Sequence, residues 1–512
     1  MFKWTNEVHC LSKAENTLYS VRHPDLLFLY CKYMDNLIYF MKYRVSTYRI
    51  QGYILYTVFV LGECLMRNRE KSKTENTAIT LIRFCVPLIL SSILQQLYNW
   101  VDAFIVGNVA GEKALAAIGS TGTIVDLFLN AITGFTLGLC ILFAQKYGAG
   151  KKAHITKILS VFSVILGGIF LLISLIGIAG AYPLLRIMNT TPDTIYMAKD
   201  YLQIILIGIP FLAVYNVYSS ALRGIGNSRA PFVSVLFSSV VNIILDLVFV
   251  SVWHWGVVGA AIATVISQAF MTIFIILYSI KKHSCLRFSV KKWALDHSVL
   301  KEGLRLGIPP MIQSSITSLG GLILQNFMNG FGTQTVAAIT TAYRVDTMVL
   351  LPIVNLGSGI STIVAQNYGA GRKKQIPKIV CVGTSMMFCI SLLLTWLIVE
   401  TGGYLIAMFG VSPEVTEIGK NYFQTIAVFY AVFGIAASVR GYIEGIGDIL
   451  FSSFAGIISL ISRIIFSYAF VGICGNMIIA YAEAGSWGVL LVLYTIHILR
   501  KKFLSKNMDQ IV

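Results

Sequence analysis

Gln145-Lys146-Tyr147-Gly148-Ala149-Gly150-Lys151-Lys152 returns later in the chain as Gln366-Asn367-Tyr368-Gly369-Ala370-Gly371-Arg372-Lys373, 221 positions on. The same shift carries Ala116-Ala117-Ile118 onto Ala337-Ala338-Ile339 and Pro192 onto Pro413. It also carries Tyr201 and Gln203 onto Tyr422 and Gln424, and Gly224-Ile225-Gly226 onto Gly445-Ile446-Gly447. Register holds without a gap over roughly 110 residues, well beyond chance agreement among apolar residues. One unit is therefore present twice.

The unit belongs in a membrane. The chain is 56% hydrophobic and 12% charged, with a mean hydropathy of +0.75, whereas soluble domains carry about a quarter charged residues. Its apolar runs are long enough to cross a hydrocarbon core of about 30 Å as helices. Twelve such runs are expected, centred near residues 95, 130, 168, 208, 243, 268, 317, 352, 390, 429, 460 and 487. Six fall in each copy. An even number makes both copies enter from the same side, so the expected fold is all-α, with two six-helix lobes related by a pseudo-two-fold along the membrane normal. Such a duplication around a cleft is the ground plan of many secondary transporters.

A net charge of +17 raises the question of a nucleic-acid partner, and the placement of the charge answers it. Lys146, Lys151, Lys152 and Lys157 follow the second run, and Lys281, Lys282, Arg287, Lys291 and Lys292 fill the central loop. Arg372, Lys373, Lys374 and Lys378 follow the eighth, and Arg500, Lys501, Lys502 and Lys506 lie at the C-terminus. The alternate loops, 108–113 and 330–335, are nearly free of them. This is the positive-inside pattern, which puts both termini in the cytoplasm and calls for membrane lipids, with no nucleic acid, as surroundings. Nine scattered cysteines show no paired spacing and read as small hydrophobes.

Residues 1–65 form a separate segment. They hold eight of the 25 tyrosines and repeat nothing downstream, and they lack the shape of a secretory signal. Met66 then opens a polar, basic stretch directly before the first span, so Met66 is the expected physiological start and 1–65 an upstream extension. The expected organisation is a first lobe over 66–280, a cytoplasmic linker over 281–301, a second lobe over 302–500 and a cytoplasmic tail over 501–512. Pro210 and Pro352 fall in mid-helix and should kink helices four and eight.

Charged residues inside a span cost several kcal/mol and face a cavity or a partner. Helix one should end near Asn108, helix five near His254, and helix six should turn inward at Gly256. Asp102, Asp246 and Thr264 then all lie roughly 9–12 Å beneath the outer face at 1.5 Å per residue. Asn242 and Asp246, four apart, share one face of helix five. Gln95, Tyr98, Asn99 and Asp102 form a polar stripe on helix one, and Asn216 gives helix four a polar side. Two carboxylates at one depth would hardly both stay charged without a cation or a shared proton. Asp102, Asn242, Asp246 and Thr264 are thus a candidate coupling site for Na⁺ or H⁺. The second copy differs, with Arg463 standing where the first has Asn242. Helix eight carries Arg344, and Glu483 is the expected partner of one or both arginines. Fixed positive charge there opposes cation binding.

These residues resemble the multidrug and toxic compound extrusion (MATE) family over about residues 78–500. The likeness rests on Tyr98-Asn99-Trp100-Val101-Asp102 with Gly107, on Gln145 to Gly150, and on Arg223-Gly224-Ile225-Gly226-Asn227. It rests further on Asn242 with Asp246, and on Gly259-Ala260-Ala261 with Ala263-Thr264. Tyr343-Arg344-Val345-Asp346 is similar to the multi-antimicrobial extrusion branch. The resemblance implies a cell-membrane antiporter that exports diverse, often cationic and aromatic drugs by alternating access, driven by Na⁺ or H⁺; a non-enzymatic protein acting as a monomer is expected. It implies the ion on Asp102, Asn242, Asp246 and Thr264, and a substrate pocket using Gln95, Tyr98 and Asn216, to which the polar stripe of helix one adds Asn99. No cofactor is implied beyond the coupling ion. Another branch places acids in helices seven and ten, and neither 311–329 nor 422–443 contains one.

A lipid-linked oligosaccharide flippase of the same architecture is the nearest alternative. It would need central arginines for pyrophosphate, which keeps Arg344 and Arg463 in view. No P-loop, His-Glu-x-x-His or Gly-x-Ser-x-Gly occurs in the sequence.

Overall fold

Long apolar runs broken by short glycine-bearing turns produce a helical chain, without a strand among the described residues. The structure, a computed structural model, describes residues 75–289 and 296–508. The expected extension over 1–65 and the start at Met66 lie outside the described residues. The first repeat folds as α1 (Glu75–Ala110), α2 (Glu112–Gly148), α3 (Lys152–Ile187), α4 (Ile195–Gly224), α5 (Arg229–Asp246) and α6 (Gly256–Lys282). The second folds as α7 (His297–Asn329), α8a (Thr333–Val349), α8b (Leu351–Gly369), α9 (Ile376–Ala407), α10 (Pro413–Ile426, resuming over Tyr430–Gly445), α11 (Ile449–Cys474) and α12 (Ile478–Met508).

Among the described residues, ten helices are long and apolar enough to cross a membrane. One of the ten, Ile449–Lys501, is α11 and α12 run together, and α7 falls outside the set. The middle of α7 carries Gln313, Ser314, Ser315, Thr317 and Ser318, a composition suited to a wall between lobes and not to lipid. Helix eight breaks at Leu350, with Pro352 in the first turn of α8b, where a missing N–H costs little. By contrast, α4 runs through Pro210 without interruption.

The duplication extends to the backbone. Left-handed turns occur at Gly111, Gly150, Asn189 and Gly226, and again 221 positions later at Gly332, Gly371, Gly410 and Gly447. At Gly226 and Gly447 φ is 92° and 93°, a conformation that a side chain would strain.

In lipid, helices associate through close packing and hydrogen bonds more than through hydrophobic burial, and the seam between the repeats shows both. A methyl on Gly148 would run into the Gln366 carbonyl, and one on Gly369 into the Gln145 carbonyl. Gly134 and Gly138 of α2 likewise admit the backbone of α7 at Pro310 and Leu306. At the end carrying Lys146, called here the basic end, Lys146 pairs with Glu302 at 2.7 Å and Lys157 with Asp296 at 3.1 Å.

Neither lobe is a closed package. Leu81, Phe84, Cys85 and Leu88 from the first half of α1 are buried in the apolar core of the second repeat. Val299 and Leu306 from the first half of α7 are buried in the core of the first. The far half of α1 returns to its own repeat, where Ile105 and Val106 pack with Tyr201, Ile205, Val250 and Ala260. Each leading helix therefore bridges both cores.

Candidate functional site

The site is built where α1, α5 and α6 meet at the end opposite the basic one. Asp102 lies two turns before the end of α1. Asn242 and Asp246 occupy the last two turns of α5, which pass directly into a π-helical turn over Leu247–Val252. Trp253 N–H closes that turn on the Val248 carbonyl at 2.9 Å. A π turn inserts a residue and shifts the side-chain register beyond it, which is why such turns gather at functional sites. Here it separates Asp246 from a stacked group of Phe249, Trp253 and Trp255, with ring centroids 4.8–5.2 Å apart. Ser238 Oγ donates to the Ser267 carbonyl at 2.9 Å and ties α5 to α6, the helix that carries Thr264.

Asn242 and Asp246 are 1% and 0% exposed. Among the described residues, no hydrogen-bond partner serves Asp102 Oδ1, either polar atom of the Asn242 side chain, either Asp246 carboxylate oxygen, or Thr264 Oγ1. The same holds for Gln268 Oε1, which lies against the backbone of α4 at Gly208. Asp102 and Asp246 are close enough for their charges to act on one another, and Tyr201 of α4 feels both. Unpaired buried acceptors cost several kcal/mol each in a medium without water. A set made almost wholly of oxygens, two of them carboxylates, is what a hard monovalent cation or a proton satisfies. The residues present fit such an ion.

The four expected pocket residues are arranged less uniformly. Gln95 and Tyr98 are half-buried and Asn99 is exposed on the same side of α1; Tyr98 sits within electrostatic reach of Asp102. Asn216 of α4 is half-buried, and its amide donates to the Leu212 carbonyl of its own helix at 2.9 Å.

The second repeat answers with a closed network. Arg463 Nη2 donates to Glu483 Oε2 and to the Tyr343 hydroxyl, both at 2.8 Å, and its guanidinium lies 5.8 Å from the Tyr343 ring centroid. Tyr422 donates to Glu483 Oε2 at 3.1 Å. Of the two arginines weighed as partners of Glu483, Arg463 is the one that pairs with it; Arg344 is exposed and has no ion pair among the described residues. It lines a cavity of about 430 Å³ with Thr333, Thr340 and Phe409. The reason is angular: Arg344 lies one residue past Tyr343, about 100° around α8a and away from the α11–α12 side.

Two acids escaped the sequence reading as site residues. Asp346 is buried and accepts from the Tyr430 hydroxyl. Asp126 is exposed on α2, fourteen residues past Glu112. Their signal was present, since each is an acid within an apolar run; Asp126 has Asn130 four residues on, the spacing that marked Asn242 and Asp246, whereas Asp346 has only Ala342 and Leu350 at that distance.

The MatE family pattern matches the chain twice, over residues 87–248 and 309–469. The "Probable multidrug resistance protein YpnP" of Bacillus subtilis (strain 168) is 30% identical over 378 residues, covering 73% of this chain and 84% of that protein. The "Multidrug export protein MepA" of Staphylococcus haemolyticus (strain JCSC1435) is 23% identical over 389 residues, 75% and 85% of the two chains. Among solved structures, "Outward-facing conformation of a multidrug resistance MATE family transporter of the MOP superfamily" superposes with a TM-score of 0.79 at 21% identity. It covers 86% of this chain and all of that one.

Proposed function

Because the chain belongs to the MatE family of multidrug efflux transporters, we propose that it exports bulky, often cationic organic compounds in exchange for Na⁺ or H⁺ by alternating access. It is a multi-pass membrane transporter and not an enzyme. In this reading twelve helices span the cell membrane as two six-helix lobes about a pseudo-two-fold along the normal. The basic end and both termini face the cytoplasm.

One observation carries the coupling site. Buried polar atoms without partners occur on Asp102, Asn242, Asp246 and Thr264, where α1, α5 and α6 pack together, while Arg463, at the position matching Asn242, is neutralised by Glu483 in the second lobe. An ion bound in the first lobe favours one orientation of the lobes by its differential affinity for the two. Moving such an equilibrium from 1:99 to 99:1 takes about 5.5 kcal/mol of differential binding. The physical link is α1, which holds Asp102 at one end and is anchored in the second lobe's core by Leu81, Phe84 and Leu88 at the other. Drawing Asp102 toward Asp246 around an ion pulls on a helix that both lobes share.

Export from vesicles under an imposed Na⁺ gradient, and then under a pH gradient alone, identifies the ion. Asp246→Asn should reach the membrane at the wild-type level and export nothing under either gradient. Full export by that variant would remove the coupling role. The flippase alternative is weakened because Arg463 is committed to Glu483 and only Arg344 is free for a pyrophosphate among the two arginines it needs.

A further inference from the structure

We infer that Asp126 is a recognition residue for organic cations in the cleft between the lobes, a role that deepens the export function proposed above and rests on it. The geometry of α2 points there. Ala114, Ala117, Thr121 and Ile124 are buried toward the first-lobe core. The opposite face carries Gly119, Thr123, Asp126, Asn130 and Thr133, at alternating steps of three and four residues, and none of them is fully buried. Two contacts fix where that face looks. On one flank Asn130 donates to Ser318 of α7 at 2.9 Å. On the other, further along α2, Cys140 touches Thr362 of α8b at 3.7 Å. Asp126 lies on the face between these flanks, one turn before Asn130 in the chain, and so looks across at the second lobe.

Its depth makes the charge informative. Asp126 lies roughly 21 Å along the helix axis from Glu112. A carboxylate turned to lipid at that level would be costly, and one buried in protein would need a partner. Neither condition holds: the face is polar, and Asp126 has no Lys or Arg within ion-pair distance among the described residues. The 221-residue shift puts Thr347 in its place in the second repeat, and the acid beside it, Asp346, is buried and already engaged by Tyr430. A free carboxylate on a polar, mid-depth wall favours a positively charged guest over a neutral one of the same shape.

The test uses the full-length protein in lipid nanodiscs with two fluorescent probes, cationic ethidium and uncharged acridone. Asp126→Asn should weaken ethidium binding about tenfold or more and leave acridone within about twofold. Asp126→Glu should recover most of the ethidium affinity. Unchanged ethidium affinity in Asp126→Asn would overturn the assignment, as would an equal loss for both probes, which would mean a structural role. A wild-type protein that binds neither probe would overturn it together with the proposed function. Asp246→Asn separates the two ideas, since it should keep ethidium affinity while losing export.

Discussion

Gln145 and Gln366 make two equivalent hydrogen bonds in opposite directions across the seam between the repeats. Gln145 Nε2 donates to the Gly445 carbonyl at 3.1 Å and Gln366 Nε2 to the Gly224 carbonyl at 2.8 Å. Each glutamine belongs to one repeat and each carbonyl to the other, related by the same 221 positions. Beside them Gly148 and Gly369 bring the two backbones together. The basic end is thus closed by main-chain contact, which leaves no slack for a side chain. Alternating access requires these contacts to break as a set.

Gly148→Ala inserts a methyl where the Gln366 carbonyl stands. The lobes should part at the basic end, at a cost of about 1–3 kcal/mol for overpacking. Thermal unfolding in detergent should show a lower Tm, and export should fall with membrane abundance largely kept. The same change at Gly168, which has open space around it, should do neither.

Removing Arg463 strands Glu483 among Tyr343 and Tyr422. Arg463→Ala should destabilise by about 3–5 kcal/mol, the usual penalty for a buried charge that loses its partner. Replacing both residues by Met should cost much less. Membrane abundance and Tm of the single and double variants check this, and equal losses would contradict it.

Arg344 should behave oppositely. It is exposed and unpaired, so Arg344→Ala should keep abundance and Tm near wild type, surface changes costing within about 0.5 kcal/mol. A drop in abundance like that of Arg463→Ala would show that Arg344 has a structural partner after all.

Asp296, at the start of α7, is held down at about 2 by hydrogen bonds from the Ser298 hydroxyl, then from Lys157. A depressed carboxyl pKa contributes stability above the ordinary value of about 3.9 and loses it as pH falls toward the depressed one. The Tm difference between wild type and Asp296→Ala should therefore be constant from pH 7 to 5 and shrink only below about pH 4. A difference that vanished at pH 6 would point to His154, which faces Glu302 at 3.7 Å, as the titrating group instead.

The duplication and the helical membrane class were readable along the chain, and helix period converts residue numbers into faces. That arithmetic is local. It works for Asn242 and Asp246 on one helix, and for Gln145 against Gln366 once the repeat is seen. It could not say that the first half of α1 is packed in the other repeat's core, because Leu81, Phe84 and Leu88 look like any apolar run. Nor could it place the π turn over Leu247–Val252 directly after Asp246, which no local spacing announces. Which arginine meets Glu483 was equally out of reach. Spacing gives height and angle within a helix, whereas a pair between helices depends on how they are rotated against each other. Tertiary packing alone set that rotation, turning Arg463 into the second lobe, Arg344 out of it, and Asp126 toward the cleft.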